Sequence, residues 1–117
     1  MSIENALASV AVKDLAAAEA WYTKLLGRAG SQPMAEVIEW TLPNGGGLQV
    51  YALAERAGQG SFTLAVRNIA DEIAKLNAMG VDTSDQTSSP RVKTVMIVDP
   101  DGNHIALAEA LDPSLLR

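Results

Sequence analysis

Apolar and polar positions along this chain change their period from two to about 3.6 and back again, and they do so twice. A mostly apolar run at residues 7–12 (LASVAV) predicts a short buried strand. Asp14 follows as an N-cap residue, and apolar side chains then recur at helical spacing from Leu15 until Gly27, which ends the pattern. The first block therefore predicts a strand followed by a helix.

A strand-rich stretch completes the first half. Turn residues, Pro33 among them, precede a strand predicted near residues 35–42. The glycine-rich turn at residues 43–47 leads into the alternating run LQVYAL, residues 48–53, which predicts another strand. Residues 54–60 (AERAGQG) have the composition of a linker.

The same order restarts after this linker. Residues 62–66 (FTLAV) predict a short buried strand, and Asn68 caps the helix predicted next. The polar stretch at residues 81–90 predicts only a short edge strand at its start. Two strands, at residues 92–98 and 104–110, are then predicted on either side of an Asp-Pro-Asp-Gly turn.

The two halves align with each other. VAVKDLAAAEAWYTKLLG matches LAVRNIADEIAKLNAMG, and LPNGGGLQV matches DPDGNHIAL without a gap. Four elements recurring in one order predict a duplicated βαβββ unit rather than a chance similarity.

Composition narrows the function classes mainly by exclusion. The chain has 117 residues, one histidine, no cysteine and a formal net charge of −5. Without cysteine there is no disulfide, thiolate nucleophile or cysteine-bound metal. A net negative charge with scattered Lys and Arg argues against nucleic-acid binding. No apolar run is long enough for a membrane span, and the first residues lack the basic start of a signal peptide, so the expected location is the cytoplasm.

The opening VAVKDLAAAEAWYTKLLG and the closing VDPDGNHIALAE resemble the motifs of the vicinal-oxygen-chelate superfamily, also called the glyoxalase/bleomycin-resistance/dioxygenase superfamily. The resemblance implies an α+β fold in one domain, residues 1–117, built from modules at about 1–55 and 60–112. The two tandem βαβββ modules would form an open eight-stranded cup with the helices outside. It also implies a homodimer, and the tail at residues 111–117 is expected to be ordered by packing on the partner.

Enzymes of this superfamily hold a divalent metal inside the cup, where it chelates two neighbouring oxygens of the substrate. The resemblance places the four ligand positions at Leu7, Gln49, Ser61 and Ala106. Leucine and alanine offer no lone pair, whereas zinc, iron and nickel sites use imidazole, carboxylate or thiolate ligands. No metal and no other cofactor is therefore expected.

Period-two alternation selects the side chains that would line the cup. They are small or neutral polar groups, with charges only at strand ends. Trp40 has two possible placements, in the cup or against a helix, because Val37 and Ile38 are both apolar and leave the strand phase open. The candidate ligand-binding residues are Trp40, Gln49, Tyr51, Ser61, Thr63, Arg67, His104 and Ala106.

These observations favour a metal-free protein of the glyoxalase/bleomycin-resistance type that binds a small organic molecule in the cup and is not an enzyme. One alternative is a glyoxalase- or dioxygenase-like lyase or oxidoreductase with a non-standard site around His104 and Glu36 or Glu39. Another is a non-catalytic dimeric interaction module. Neither nucleic acid nor a membrane is expected as a partner.

Overall fold

A computed structural model of the chain describes residues 2–114, so the end of the predicted partner-dependent tail, residues 115–117, lies outside the description. Its helices and strands follow the predicted order closely. They are β1 Leu7–Val12, α1 Leu15–Leu26, β2 Ser31–Met34, β3 Val37–Thr41, β4 Gly47–Ala52, β5 Ser61–Ala65, α2 Ile69–Ala78, β6 Asp85–Ser88, β7 Val92–Val98 and β8 His104–Ala110.

The strands form two four-stranded sheets with equivalent topology. Their orders are β1-β4-β3-β2 and β5-β8-β7-β6. In each sheet the first strand of the module pairs parallel with its last strand, and the remaining neighbours pair antiparallel. The predicted α+β class and the duplicated βαβββ order are therefore confirmed.

The chain divides into two compact units. Among the described residues, the first comprises residues 2–60 together with Pro100–Asn103, and the second comprises Ser61–Asp99 and residues 104–114. No helix among residues 2–114 is long and apolar enough to cross a membrane.

In the first unit, helix α1 packs on one face of its sheet. Asp14 caps this helix, since its Oδ1 accepts a hydrogen bond from the Ala17 N–H at 3.1 Å, and Gly27 ends it in the left-handed region. The helix buries Ala18, Tyr22 and Leu25. The strand residues buried on this side are Val10, Val12, Ile38, Trp40, Leu48 and Val50. Each fully buried large side chain contributes about 1.5–3 kcal/mol of transfer free energy, so this face holds the unit together.

In the second unit, helix α2 is tied to strand β8 at its first turn. Asn68 Oδ1 accepts a hydrogen bond from the Asp71 N–H at 3.2 Å, as expected for an N-cap. Glu109 Oε1 accepts another from the Ile69 N–H at 2.9 Å. A carboxylate from β8 therefore satisfies a backbone donor that the helix itself leaves unpaired.

The edge strands β2 and β6 depart from the sequence-based prediction. Residues Ser31–Met34, including Pro33, form β2 where only a turn was predicted, and β6 lies at Asp85–Ser88 rather than at the start of its polar stretch. All of their side chains are exposed. These two strands bury no face of their own, so they have no apolar alternation to reveal them, and an edge position also tolerates proline.

The turn between β7 and β8 is part of the first unit. Asn103 is 0% exposed, its Oδ1 accepts from the Gly60 N–H at 2.8 Å and its Nδ2 donates to the Ala11 carbonyl at 2.9 Å. Ala11 lies on β1, which is an edge strand of its sheet. The side chain of Asn103 thus satisfies backbone groups that no neighbouring strand pairs.

Candidate functional site

The first sheet has one face away from helix α1, which we call the first open face. Strand register places its side chains in rows that run across β1, β4 and β3. The three rows are Leu7–Gly47–Thr41, Ser9–Gln49–Glu39 and Ala11–Tyr51–Val37. The central row is polar throughout, whereas the two rows beside it are largely apolar. The first open face therefore has one line of polar side chains between two largely apolar ones.

The central row, which we call the polar row (Ser9, Gln49 and Glu39), is hydrogen-bonded along its length. Ser9 Oγ donates to Gln49 Oε1 at 3.0 Å, and Gln49 Nε2 donates to Glu39 Oε1 at 2.6 Å. The second bond is short because a carboxylate is the acceptor. Both partners hold the Gln49 amide in one orientation, so the row is a preorganised set of hydrogen-bonding groups.

The residues at the four positions where the resemblance to the superfamily places metal ligands do not fit a divalent ion. Leu7 and Ala106 carry no donor atom, and the Gln49 carbonyl oxygen already accepts the hydroxyl of Ser9. Ser61 would contribute only a hydroxyl. Within residues 2–114, no group of three or more His, Asp or Glu side chains is arranged to hold a metal ion.

A cavity of about 350 Å³ adjoins the polar row at Ser9. Its walls come from β1, β4 and the segment after β4, and its residues are Ser9, Val10, Ala11, Tyr51, Arg56, Gln59 and Gly60. Arg56 brings a positive charge, Tyr51 a phenol and Gln59 an amide, whose Nε2 donates to the Glu55 carbonyl at 3.2 Å. The cavity therefore combines a phenol ring with charged and amide groups, so a ligand there can both stack and form hydrogen bonds.

Sequence reasoning did not find Arg56 and Gln59. It assigned residues 54–60 to a linker, and the structure places them in a short 3₁₀ turn, Ala54–Arg56, and the residues behind it. The available signal was the presence of Glu55, Arg56 and Gln59, three long polar side chains in a segment otherwise made of alanine and glycine. A connection between two modules that carries such side chains is a candidate for binding rather than a passive spacer.

The second sheet brings four of the predicted residues together on its face away from α2, the second open face. Ser61 pairs in register with His104, and Thr63 pairs with Ala106. Arg67 is exposed just beyond β5 and before α2. These rows continue on β7 at Val98 and Met96, so the second open face combines small, polar and larger apolar side chains.

Trp40 does not join the other candidate residues. It is 1% exposed, its ring centroid lies 6.0 Å from that of Tyr22, and its Nε1 donates to the Arg28 carbonyl at 3.0 Å. Of the two placements that the sequence allowed for Trp40, the structure shows the one against helix α1. The assignment of Trp40 to the ligand-binding residues is therefore corrected. Glu39 lies in the polar row, whereas Glu36 is exposed in the turn between β2 and β3.

A second cavity, of about 280 Å³, lies in the second unit between α2 and the strands β6 and β7. Helix α2 contributes apolar side chains to its wall, and the strands β6 and β7 contribute polar ones. The lining residues are Ile69, Ile73, Gln86, Thr87, Ser88, Lys93 and Thr94. None of them was selected from the sequence, which makes this cavity a useful comparison site.

No protein-family model and no curated protein sequence matches the chain. Solved structures do: a glyoxalase/bleomycin resistance protein from Catenulispora acidiphila is 34% identical, with 92% of this chain and 99% of that chain covered and a TM-score of 0.81. A glyoxalase/bleomycin resistance protein from Streptomyces sp. CB03234 is 26% identical, with 89% and 98% covered and a TM-score of 0.70. TnmS3, an antibiotic binding protein from the same Streptomyces strain, shares the fold at 24% identity, with 94% and 98% covered and a TM-score of 0.79. Together with the duplicated βαβββ order, these similarities show that the chain belongs to the glyoxalase/bleomycin resistance protein family.

Proposed function

We propose that this protein binds a small organic molecule over its strand-lined open faces, without a metal ion and without turnover. The site centres on the polar row of Ser9, Gln49 and Glu39 and on the cavity beside it. Relatives named as bleomycin resistance and antibiotic binding proteins support a binding role. The family resemblance also supports a homodimer as the working form, which light scattering of the purified protein measures.

One observation carries this proposal: the position at which family enzymes place a metal ligand is occupied by an amide that is hydrogen-bonded on both sides. Gln49 accepts from Ser9 and donates to Glu39. This arrangement offers hydrogen-bonding groups to a ligand but no site for a Lewis acid. The same contact argues against Ser9 as a nucleophile, because a glutamine amide cannot take its proton as a general base would.

The first prediction concerns metals and ligands in a thermal unfolding assay. Dialysis against a chelator and addition of divalent metals are expected to leave the Tm unchanged, since no donor set holds an ion. In a panel of antibiotics, a binder supplied at about a hundred times its Kd stabilises the folded state by about 2.7 kcal/mol and raises the Tm by several degrees. Metal bound at one ion per chain would contradict the proposal.

The second prediction locates the ligand with two glutamine variants. Gln49→Leu is expected to weaken binding of an antibiotic from that panel about tenfold, because it removes the amide at the centre of the polar row. Gln86→Leu, which changes the same side chain at the second cavity, is the matched control and should leave the affinity unchanged. Isothermal titration calorimetry measures both. The reverse result would place the ligand at the second cavity.

The enzyme alternative has its own signature. Ser61 and His104 are register partners, yet no hydrogen bond joins their side chains in the part of the chain that the structure describes. Turnover of a vicinal dioxygen compound that is lost in His104→Ala would favour an enzyme over a binding protein. An interaction module would instead show no Tm shift with any compound in the panel.

A further inference from the structure

The two ends of the polar row differ in charge. Glu39, half-buried, is the last residue of the row on β3, and Arg56 lines the cavity that adjoins the other end at Ser9. We propose that the ligand is dipolar, with an acidic group that pairs with Arg56 and a basic group that pairs with Glu39. This inference rests on the proposed binding function and adds the chemical class of the ligand.

The geometry of the sheet sets the length of a ligand that reaches from Glu39 to the cavity at Ser9. Ser9, Gln49 and Glu39 lie on three neighbouring strands in register. Neighbouring strands are about 4.8 Å apart, so the backbone positions of Ser9 and Glu39 are separated by roughly 10 Å. A ligand that runs from Glu39 to the cavity at Ser9 therefore needs a body about 10 Å long that lies over Gln49.

The groups at both ends retain the capacity to bind. One oxygen of Glu39 accepts from Gln49, and a carboxylate has about four acceptor sites, so the ligand can use the others. Within the described residues, Arg56 takes part in no ion pair. Its guanidinium presents a planar set of donors that matches a carboxylate.

The body of the ligand is constrained by the surfaces between the charges. Tyr51 lines the cavity and lies in the row next to the polar row, paired with Ala11 on β1 and Val37 on β3. A phenol flanked by small or aliphatic side chains offers a surface for stacking. A rigid aromatic body fits this description better than a flexible chain, which would lose more conformational freedom on binding.

Ligands with a single charge are disfavoured by the same arrangement. A purely cationic molecule that pairs with Glu39 offers no acidic group to Arg56. A purely anionic molecule that pairs with Arg56 offers no basic group to Glu39. In both cases one protein charge gains no partner from the ligand, so the complex has one charge-assisted hydrogen bond fewer. A dipolar molecule satisfies both charges at once.

The test uses three biphenyl probes and calorimetry. The first carries a carboxylate on one para carbon and an aminomethyl group on the opposite para carbon, and the other two carry only one of these groups. The dipolar probe is expected to bind about tenfold more tightly than either single-charge probe, since hydrogen bonds to charged groups are the stronger ones. Arg56→Gln should abolish the advantage given by the carboxylate, and Glu39→Gln the advantage given by the ammonium group.

The matched controls are Arg91→Gln and Glu19→Gln, which neutralise exposed charges outside the site and should keep the full preference. Thermal unfolding of each variant without ligand verifies that it is folded. Equal affinity for all three probes overturns the dipolar inference and leaves small-molecule binding standing. Failure of all three probes while an antibiotic still binds overturns the inference alone, and failure of both overturns the proposed function as well.

Discussion

Replacing Asn103 by alanine is expected to lower the free energy of unfolding by about 2–5 kcal/mol, because a buried hydrogen bond to Ala11 and a partly buried one from Gly60 are lost. Asn103 is 0% exposed and bonds the Ala11 carbonyl and the Gly60 N–H. Alanine leaves both of these backbone groups unpaired, and each unpaired group costs about 1–3 kcal/mol. Urea unfolding followed by circular dichroism measures the loss.

Two further variants make this experiment decisive. Asn44→Ala changes an exposed asparagine of the turn before β4 and should alter the unfolding free energy by no more than about 0.5 kcal/mol. Asn103→Asp keeps an acceptor toward Gly60 but turns a carboxylate toward the Ala11 carbonyl, so it should be as damaging as alanine. If Asn103→Ala proved as mild as Asn44→Ala, the hydrogen bonds would not stabilise the fold as argued.

The sequence predicted well those elements whose signals are local. Both helices begin directly after the N-cap residues that the sequence indicated, Asp14 and Asn68, because a cap and its helix are neighbours in the chain. The edge strands β2 and β6 were missed or misplaced since they bury no side chain. Their pairing depends on a partner strand, which a local pattern does not contain.

The candidate site was harder to predict from the sequence because it depends on the register between distant segments. Gln49 was selected from alternation along its own strand, but its partners Ser9 and Glu39 are fixed by how β1 and β3 align with β4. A shift of one residue would move each to the opposite face. Trp40 illustrates the limit, since two adjacent apolar residues left its phase open until the register was known.

In the closing motif Asp-Pro-Asp-Gly-Asn, the turn was predicted from the sequence, whereas the structural role of Asn103 was not. The proline and glycine of this motif indicated a tight turn between strands, as observed. The structural role of its asparagine could not be inferred, because the bond to Ala11 joins residues 92 positions apart. The motif that identifies the family thus stabilises the edge of β1, next to Ser9 and the polar row.

The same turn predicts a large effect at a glycine that contacts it. Gly58 has φ of 85°, and a Cβ added there would overlap the carbonyl oxygen of Asp101. Gly58→Ala is therefore expected to lower the free energy of unfolding by about 2–5 kcal/mol, as the left-handed backbone costs about 1–2 kcal/mol and the displaced backbone about 1–3 kcal/mol. Urea unfolding measures this loss.

Gly27→Ala and Gly80→Ala separate the two contributions to that loss. Both glycines have similar positive φ values, 72° and 77°, and an added Cβ would meet nothing within 4 Å at either position. These variants should lose only the backbone contribution of about 1–2 kcal/mol, so Gly58→Ala must exceed both by the cost of the clash. Equal losses at the three positions would mean that the turn at Asp101 moves away from Gly58 without cost. The close contact between Gly58 and this turn would then not stabilise the fold.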